Sequence, residues 1–386
     1  MKKHLIILLL FSIQLSAQNK DQNPHFPKLK ISGPCNEEFI NSYKGKWLIP
    51  GPKLSPISVN DFHDEVMRRL NAINDLVRQI YPEPTSADAG WSGEFAKTSF
   101  ADEVKFVPVK DRDPEQTKTK INPLYRYNYS CVLFPWMCTS NPNEIMNMYP
   151  EGSSGSIVIR ANDLEILNEN YVDANEWTID GRPIKRKMFK TGTWKGYEMM
   201  SSVGGIYANE ASEHFVLISR DGVLPYIPIT RKQYLDRATQ YIARFYDDLT
   251  KKILENNEAM PVQFRSPKEE IDKQKDQNTR ARNEALKKLH DALEKTTKDG
   301  LLDAPAVVRI DPLLMNEGPV FQSETEGGCM LATENPNYFR KELPKYVPQF
   351  FVVELMSGDT NHSNTNFKRI IQENFSIEKL KALIDK

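Results

Sequence analysis

Residues 214–249, HFVLISRDGVLPYIPITRKQYLDRATQYIARFYDDL, contain both kinds of secondary structure that the chain is expected to use. Two β-prone runs, 214–219 and 223–229, flank Asp221-Gly222, and an Asp-Gly pair in this position favours a two-residue hairpin turn. Directly afterwards, Thr230 begins a pattern that is typical of a long helix. The stretch therefore predicts an α+β fold, in which a largely antiparallel sheet is followed by helices.

A second hairpin is predicted upstream, where residues 176–179 and 183–188 flank Asp180-Gly181. Three prolines within the four β-prone runs remove a backbone donor, which predicts edge strands or irregular strands. They are Pro183, Pro225 and Pro228. Further strands are predicted from the short runs 129–134, 156–160, 306–310, 320–321 and 349–355. The last of these runs is apolar enough for a central strand.

The helical pattern after residue 229 has a clear start and a clear interruption. Thr230 and Gln233 have the spacing of a capping box, and an apolar stripe follows at intervals of three or four residues. Met260-Pro261 ends the pattern, and Ser266-Pro267-Lys268-Glu269 opens a second helix with a cap and a first-turn proline. Together they predict a long antiparallel helical hairpin over residues 230–298, with helices of roughly 40 and 45 Å at 1.5 Å per residue.

The second helix of this hairpin is highly charged over residues 268–283 and carries its apolar stripe only near its end. A solvated helix face is the ordinary explanation for such charge. The alternative is that the hairpin docks another protein. In either case we expect an antiparallel arm whose base packs on the sheet and whose loop end projects into solvent. A coiled coil is not expected, because the heptad pattern is not continued through residues 273–278.

An amphipathic helix is predicted before the sheet, from a cap at Ser58 to a stop at Pro82 and Pro84. Its apolar stripe consists of Phe62, Val66, Leu70, Ile73, Val77 and Ile80. Residues 85–128 are rich in Gly, Pro, Ser, Asp and Lys, which predicts long surface loops with one short apolar run at 104–109.

The sequence divides after residue 34 into an N-terminal α+β domain over 35–229, the helical hairpin, and a C-terminal α+β region over 299–386. The C-terminal region has a predicted helical turn at 367–371 and a final helix capped by Ser376. Two arrangements are open. The C-terminal region can complete the N-terminal core, so that the hairpin is an insertion, or the hairpin can link two separate units.

The first seventeen residues have the order of a secretory signal peptide. Two lysines precede an apolar run over 5–13, and the small residues Ser16-Ala17 follow. The run is shorter than the roughly 20 residues that span a bilayer. We expect a signal peptide over 1–17 with cleavage near Ala17, an extended leader over 18–34, and a protein located in the periplasm or outside the cell.

The charge balance gives no support for binding to nucleic acid. Without the signal peptide, 49 basic residues stand against 52 acidic ones. Nucleic-acid recognition ordinarily requires a basic surface, so we expect no nucleic-acid partner. No apolar run after the signal approaches the length of a transmembrane helix, so we also expect no transmembrane segment in the mature chain.

Four cysteines occur in the chain: Cys35, Cys131, Cys138 and Cys329. An even number of cysteines in an exported protein favours disulfides. Cys131 and Cys138 are close in sequence, so we expect them to pair, which leaves Cys35 and Cys329 for a long-range bridge. The alternative is four buried free thiols.

No local motif indicates a cofactor, a metal or a nucleophile. The chain lacks Gly-x-Ser-x-Gly, a phosphate-binding loop, a dinucleotide fingerprint and a Cys-x-x-Cys pair. Glu210 stands where an inverted zinc-protease motif ending at His214 would need a histidine. The segment after Asp359 begins like a calcium loop, but Asn364 and Ile370 replace its glycine and glutamate. We therefore expect no metal and no cofactor.

Three tryptophans are candidate ligand-binding residues. Trp91 and Trp194 lie between glycines, and Trp177 lies in the first β-prone run of the predicted upstream hairpin. An aromatic ring held at a loop tip is a typical stacking platform for sugars or peptides. The alternative is that these rings cap the ends of the sheet core.

These observations leave three hypotheses for function. The favoured one is an exported bacterial envelope protein that binds an envelope protein or a cell-wall glycan without catalysis. The second is an envelope hydrolase that acts on glycan or peptide, with acids at distant positions that cannot be paired from sequence. Candidate acids are Glu94, Glu176, Asp180 and Glu198. The third is a purely structural envelope component.

Overall fold

The structure is a computed structural model, and it describes residues 27–48, 63–97, 124–149, 154–164, 166–172, 177–203, 213–309, 311–315, 318–356 and 362–386. Its helices are α1 (Glu37–Ser42), α2 (His63–Ile80), α3 (Arg231–Ala259), α4 (Lys268–Lys298), α5 (His362–Asn374) and α6 (Ile377–Lys381). None of the described helices is both long enough and apolar enough to cross a membrane.

Most of the strands are short. The two longest pair with each other along the whole length of the shorter of the two. In chain order the strands are β1 (Lys28–Lys30), β2 (Ala87–Lys97), β3 (Tyr125–Cys138), β4 (Glu144–Asn147), β5 (Ser154–Ala161), β6 (Leu167–Asn170), β7 (Thr178–Ile179), β8 (Arg182–Pro183), β9 (Lys185–Lys187), β10 (Phe189–Trp194), β11 (Tyr197–Ser201), β12 (Glu213–Ile218), β13 (Tyr226–Pro228), β14 (Val307–Val308), β15 (Cys329–Glu334) and β16 (Phe351–Met356).

The larger sheet has nine strands in the order β1-β4-β3-β5-β16-β12-β11-β10, with β2 also paired with β3. Every pair of neighbouring strands is antiparallel. The predicted α+β class with a largely antiparallel sheet is confirmed. The prediction of loops over 85–128 was wrong for β2 and the start of β3, which pair from Ala87↔Pro135 to Lys97↔Tyr125. The predicted apolar run at 104–109 lies outside the described residues.

The last strand of the chain lies in the middle of this sheet. Strand β16 pairs with β5 on one side and β12 on the other, so that Val353 faces both Ile159 and Val216. The prediction of a central strand near the C-terminus is confirmed. Strand β16 therefore pairs with strands from before the helical hairpin, although it follows the hairpin in sequence.

The two Asp-Gly pairs form turns with different roles. Asp180 and Gly181 have φ values of 49° and 75° and connect β7 to β8, which confirms the upstream hairpin. Gly222 also has a positive φ, but β12 pairs with β11 and β16, whereas β13 pairs with β15. The predicted downstream hairpin was therefore wrong, because both edges of β12 are already occupied and the chain passes to another sheet.

That second sheet has five strands in the order β13-β15-β9-β6, with β14 also paired with β15. Strand β13 contains Pro228 and lies at the edge, as the missing backbone donor predicts. Apolar side chains from both sheets meet in a shared core between them. Its members include Phe215, Leu217, Val352, Tyr226 and Ala332.

The outer face of the nine-stranded sheet is covered by α2, α5 and α6. The predicted stripe of α2 is confirmed, because Val66, Leu70, Ile73 and Val77 are completely buried. The predicted cap at Ser58 lies outside the described residues. The predicted turn at 367–371 is part of the longer helix α5, and the predicted cap of α6 is confirmed by the hydrogen bond from the Lys379 N–H to Ser376 Oγ.

The helices α3 and α4 form the long hairpin that the sequence predicts. The Gln233 N–H donates to Thr230 Oγ1 at 3.1 Å and the Thr230 N–H donates to Gln233 Oε1 at 3.0 Å, which completes the capping box. The base of the hairpin packs on the five-stranded sheet. This third core includes Tyr234, Ala238 and Ile242 of α3, Ala285 and Leu289 of α4, and Ile229 and Leu331.

The start of α4 differs from its prediction. Pro267 occupies the N-cap position and has no side chain that could accept a hydrogen bond, so the expected cap by Ser266 was wrong. The Ser266 N–H instead donates to Asn257 Oδ1 of α3 at 2.7 Å. This bond closes the connection between the two helices.

The disulfide prediction was wrong in its pairing. Cys35 bonds Cys138 across 103 residues, and Cys131 and Cys329 are buried free thiols. Residues 131 and 138 both belong to the extended strand β3, where seven steps of about 3.3 Å separate them far beyond disulfide reach. Cys329 lies in the five-stranded sheet and packs against the Lys187 carbonyl.

Candidate functional site

The connection between α3 and α4 is a compact, hydrogen-bonded tip. Within it, the Phe264 N–H donates to the Pro261 carbonyl at 2.8 Å, and Val262–Phe264 form a 3₁₀ turn. The Arg265 side chain folds back, with Nε donating to the Met260 carbonyl at 2.9 Å and a terminal nitrogen donating to the Glu258 carbonyl at 2.8 Å. These bonds satisfy carbonyls at the end of α3 and give the tip one defined backbone shape.

Apolar side chains at this tip point into solvent. Val262 is 76% exposed, Phe264 is 69% exposed and Met260 is 47% exposed. Leaving such groups in water costs on the order of 25 cal/mol per Å² of apolar area that a partner could cover. An ordered tip with three exposed apolar residues therefore has the properties of a contact surface.

Polar contacts join the two helices in the shaft of the hairpin below the tip. Arg282 of α4 forms an ion pair with Asp247 of α3 at 3.1 Å, and Asn278 Nδ2 donates to Thr250 Oγ1 at 3.3 Å. Ile271 is the buried apolar residue nearest to the tip on α4. The hairpin is thus firmly packed at its base and sparsely packed toward the tip.

The three candidate tryptophans lie in three different places. Trp91 lies in the middle of β2, not at a loop tip, and its ring stacks on Tyr129 with centroids 5.6 Å apart. Its side chain is partly exposed. Ligand stacking by Trp91 stays a prediction, while the loop geometry on which it was based was wrong.

Trp194 and Trp177 are buried. Trp194 ends β10, where Lys195 and Gly196 form a tight turn with positive φ, and its Nε1 donates to the Gln372 carbonyl at 3.1 Å. Trp177 is 1% exposed and belongs to the core at the base of the hairpin. Both positions fit the alternative in which the rings pack in the core, and neither ring presents a face to solvent.

Histidine and acidic side chains are the residues of this chain that could ligate a metal. No group of three or more His, Cys, Asp or Glu side chains that could hold a metal occurs among the described residues. Glu210 and Asp359 lie outside those residues. Asn364 and Ile370 belong to helix α5, so that this part of the calcium-like segment is helical. His214 Nδ1 lies 3.5 Å from Thr191 Oγ1, and burial lowers the pKa of His214.

A cluster of titratable groups lies where β9, β11 and the turn Glu324–Glu326 meet. Lys187 Nζ forms an ion pair with Glu198 Oε1 at 2.5 Å. Glu324 is near both charges, its Oε1 is buried without a hydrogen-bond partner, and burial raises its pKa. Burial also raises the pKa of the Cys329 thiol to about 12, so that Cys329 is protonated at neutral pH and is a poor nucleophile.

Sequence reasoning selected Glu198 as one of four candidate acids and did not find Glu324. Of the other three, Asp180 lies in the β7–β8 turn and pairs with Arg182 at 3.2 Å. Glu94 lies on strand β2, and Glu176 lies outside the described residues. Glu324 is 126 residues away from Glu198 in sequence, so that only the fold brings the two acids to the same lysine.

Comparisons of this chain with protein-family models, with curated proteins and with solved structures gave no match. The geometry of the described residues is therefore the basis for inferring function.

Proposed function

We propose that this is an exported bacterial envelope protein that binds another envelope protein through the tip of the helical hairpin. The observation that carries the proposal is the exposure of Val262, Phe264 and Met260 on a tip whose backbone is fixed by hydrogen bonds. The Cys35–Cys138 disulfide supports an oxidising compartment, and the N-terminal segment supports export.

The chemistry of the tip specifies the partner. A phenyl ring and two aliphatic side chains fit an apolar pocket, and pockets of this kind commonly receive the few residues that dominate binding energy. The tip is preorganised, so that little conformational entropy is lost on binding. The charged side chains of the shaft keep the hairpin hydrated before the tip binds its partner.

We expect the double substitution V262S/F264S to reduce recovery of the partner at least tenfold, because truncating central contact residues commonly costs more than about 1.4 kcal/mol, equivalent to a factor of ten. The measurement is crosslinking in the native envelope followed by quantitative recovery of the mature protein and its neighbours. The melting temperature should change little, because both side chains are exposed.

The matched control is Met315→Ser, since Met315 is 71% exposed but lies outside the hairpin. Its recovery of the same neighbour should equal that of the wild-type protein. Equal recovery by V262S/F264S and the wild type would contradict docking through the tip.

A second candidate function, an envelope hydrolase for glycan or peptide, is favoured by one observation. Glu198 and Glu324 are near the same buried lysine, and burial raises the pKa of Glu324. A carboxyl group whose pKa is raised by burial, close to a second carboxyl group, is an arrangement that acid–base hydrolysis uses. In this candidate function Glu324 donates the proton to the leaving group.

We expect Glu324→Gln to raise the melting temperature at pH 7 and to have no effect near pH 4. The pKa of Glu324 is higher in the folded protein than in the unfolded chain, so its contribution to stability is complete below the unfolded pKa. That contribution is lost as the pH rises through the folded pKa. Glutamine cannot ionise and avoids this loss. The measurement is thermal unfolding from pH 4 to pH 8.

The same variant tests the second candidate function. If Glu324 donates the proton, E324Q should abolish the release of sugar or peptide products from cell-wall fragments, while the stability of the variant at pH 7 increases. Glu326→Gln is the control, because hydrogen bonds from Ser323 lower the pKa of this exposed neighbour. Product release that is equal in E324Q and the wild type would reject Glu324 as the acid.

A further inference from the structure

We propose that a cavity at the base of the helical hairpin binds a small organic carboxylate with an apolar body. The cavity has a volume of about 660 Å³, within the range of small-molecule sites. It lies between the start of α3, the last turns of α4, strand β14 and the segment 318–323. The proposal does not depend on the function of the hairpin tip.

One wall of the cavity is apolar. It consists of Ala292, Leu301, Val307, Pro319, Val320 and Phe321. Val320 belongs to the core beneath the hairpin, and Val307 lies in strand β14, which pairs with β15. The apolar wall is therefore part of the packed structure. A wall of this kind favours a ring or a short alkyl chain over a wholly polar ligand, because covering apolar surface is the main source of favourable free energy.

Arg231, the first residue of α3, also lines the cavity. Its guanidinium lies over the Phe321 ring, with the Cζ atom 4.8 Å from the ring centroid. Its backbone N–H donates to the Ala304 carbonyl at 2.9 Å, which fixes the position of the residue. The Nε atom is shielded from solvent and has no hydrogen-bond partner among the described residues.

A guanidinium beside apolar surface is stabilised by a nearby anion, because a charge that is removed from water without a partner is costly. Within the described part of the chain, Arg231 forms no ion pair with a carboxylate. A guanidinium presents donors in a planar fork that matches a carboxylate in two parallel hydrogen bonds. Arg231 therefore points to a ligand carboxylate as the missing partner.

The remaining charges around the cavity are consistent with an anionic ligand. Lys288 and Lys295 add two positive charges to Arg231, and the acids on the wall are Asp291 and Asp299. Asp291 is paired with Lys287 at 2.6 Å, so that its charge is largely compensated. The cationic and apolar walls together specify an amphiphilic anion.

The test is titration calorimetry of the mature protein with benzoate, phenylacetate and octanoate, each paired with its uncharged amide. We expect at least one carboxylate to bind, and to bind at least tenfold more tightly than its amide. Inorganic phosphate should not bind, because it cannot contact the apolar wall. Binding of phosphate alone, equal binding of acid and amide, or no binding at 10 mM would each overturn the proposal.

The variant Arg231→Met separates a ligand site from a structural residue. Methionine retains apolar contact with Phe321 and removes the guanidinium, so we expect carboxylate binding to fall at least tenfold while the melting temperature stays the same or rises. Lys295→Gln, at an exposed position, should weaken binding severalfold with no change in folding.

Arg237→Met is the matched control, because Arg237 is on the same helix but does not line the cavity. Its affinity for the carboxylate should be within twofold of the wild type. A large loss of stability in R231M would assign Arg231 a structural role, and unchanged binding in both R231M and K295Q would overturn the proposal.

Discussion

Replacing both Cys35 and Cys138 by serine is expected to lower the free energy of unfolding by about 4 to 5 kcal/mol. The disulfide closes a segment of 103 residues, and in the chain-entropy model a loop of about 100 residues restricts the unfolded chain by roughly 4.7 kcal/mol. Chemical denaturation of the wild-type and C35S/C138S proteins, both produced as residues 18–386, measures the difference.

The loss should begin at the N-terminal segment. The Cys35 N–H donates to the Pro142 carbonyl, and Tyr43 after α1 packs on Trp136 with ring centroids 5.3 Å apart. Among the described strands β1 pairs with β4 alone, so that the disulfide joins this edge to the end of β3. Hydrogen exchange of residues 27–48 should accelerate more in C35S/C138S than exchange in β5 or β16.

The control is the variant C131A/C329A, which removes the two buried free thiols and leaves the disulfide intact. Its denatured, unreduced form should contain no titratable thiol, and reduction should release two. A stability loss of less than about 1 kcal/mol in C35S/C138S would contradict a large entropic role, as would four free thiols in the unreduced wild-type chain.

Local signals in the sequence predicted the elements whose stabilising contacts are also local. The capping box at Thr230 and the stripe of α2 concern residues three or four positions apart, and both were found as predicted. The positive φ values of Asp180 and Gly181 are likewise fixed by the turn itself. In these cases the sequence neighbours are also the spatial neighbours.

Strand β2 was not predicted, because the role of its Gly90 depends on a contact that only the fold provides. A Cβ on Gly90 would lie 3.0 Å from the Phe134 ring of the neighbouring strand, so that the glycine permits the ring to cross β2. In the sequence alone, the same Gly-Trp-Ser-Gly pattern is indistinguishable from a loop. The incorrect position of Trp91 followed directly from this ambiguity.

The cavity lined by Arg231 and the cluster of Lys187, Glu198 and Glu324 both depend on contacts between distant parts of the chain. Arg231 meets Phe321 only because α3 begins beside the segment 318–323, and Glu198 meets Glu324 through Lys187. The sequence predicted a hairpin whose loop end projects into solvent, but it did not indicate which apolar side chains are exposed there. Charge and hydropathy patterns identify such residues as unusual only after the fold shows what surrounds them.

Replacing Trp177 by alanine is expected to lower the free energy of unfolding by about 3 to 5 kcal/mol, the usual cost of removing a large buried aromatic side chain. Its ring contacts Tyr171, Tyr234 and Tyr241, with centroid separations of 5.0, 5.5 and 5.6 Å. Two of these tyrosines belong to α3, so the cavity left by alanine lies between the hairpin and the sheet. Denaturant unfolding measures the loss, and exchange of the α3 amides should increase first.

Trp177→Phe and Trp91→Ala complete the comparison. Trp177 Nε1 has no hydrogen-bond partner, so phenylalanine should retain much of the stability by filling part of the same volume. Trp91 is only partly buried, so its truncation should cost clearly less than that of Trp177. If Trp177 were a ligand platform, its alanine variant would fold with nearly wild-type stability and lose binding instead. A loss of stability under 1 kcal/mol would therefore contradict the core role and restore Trp177 as a candidate ligand contact.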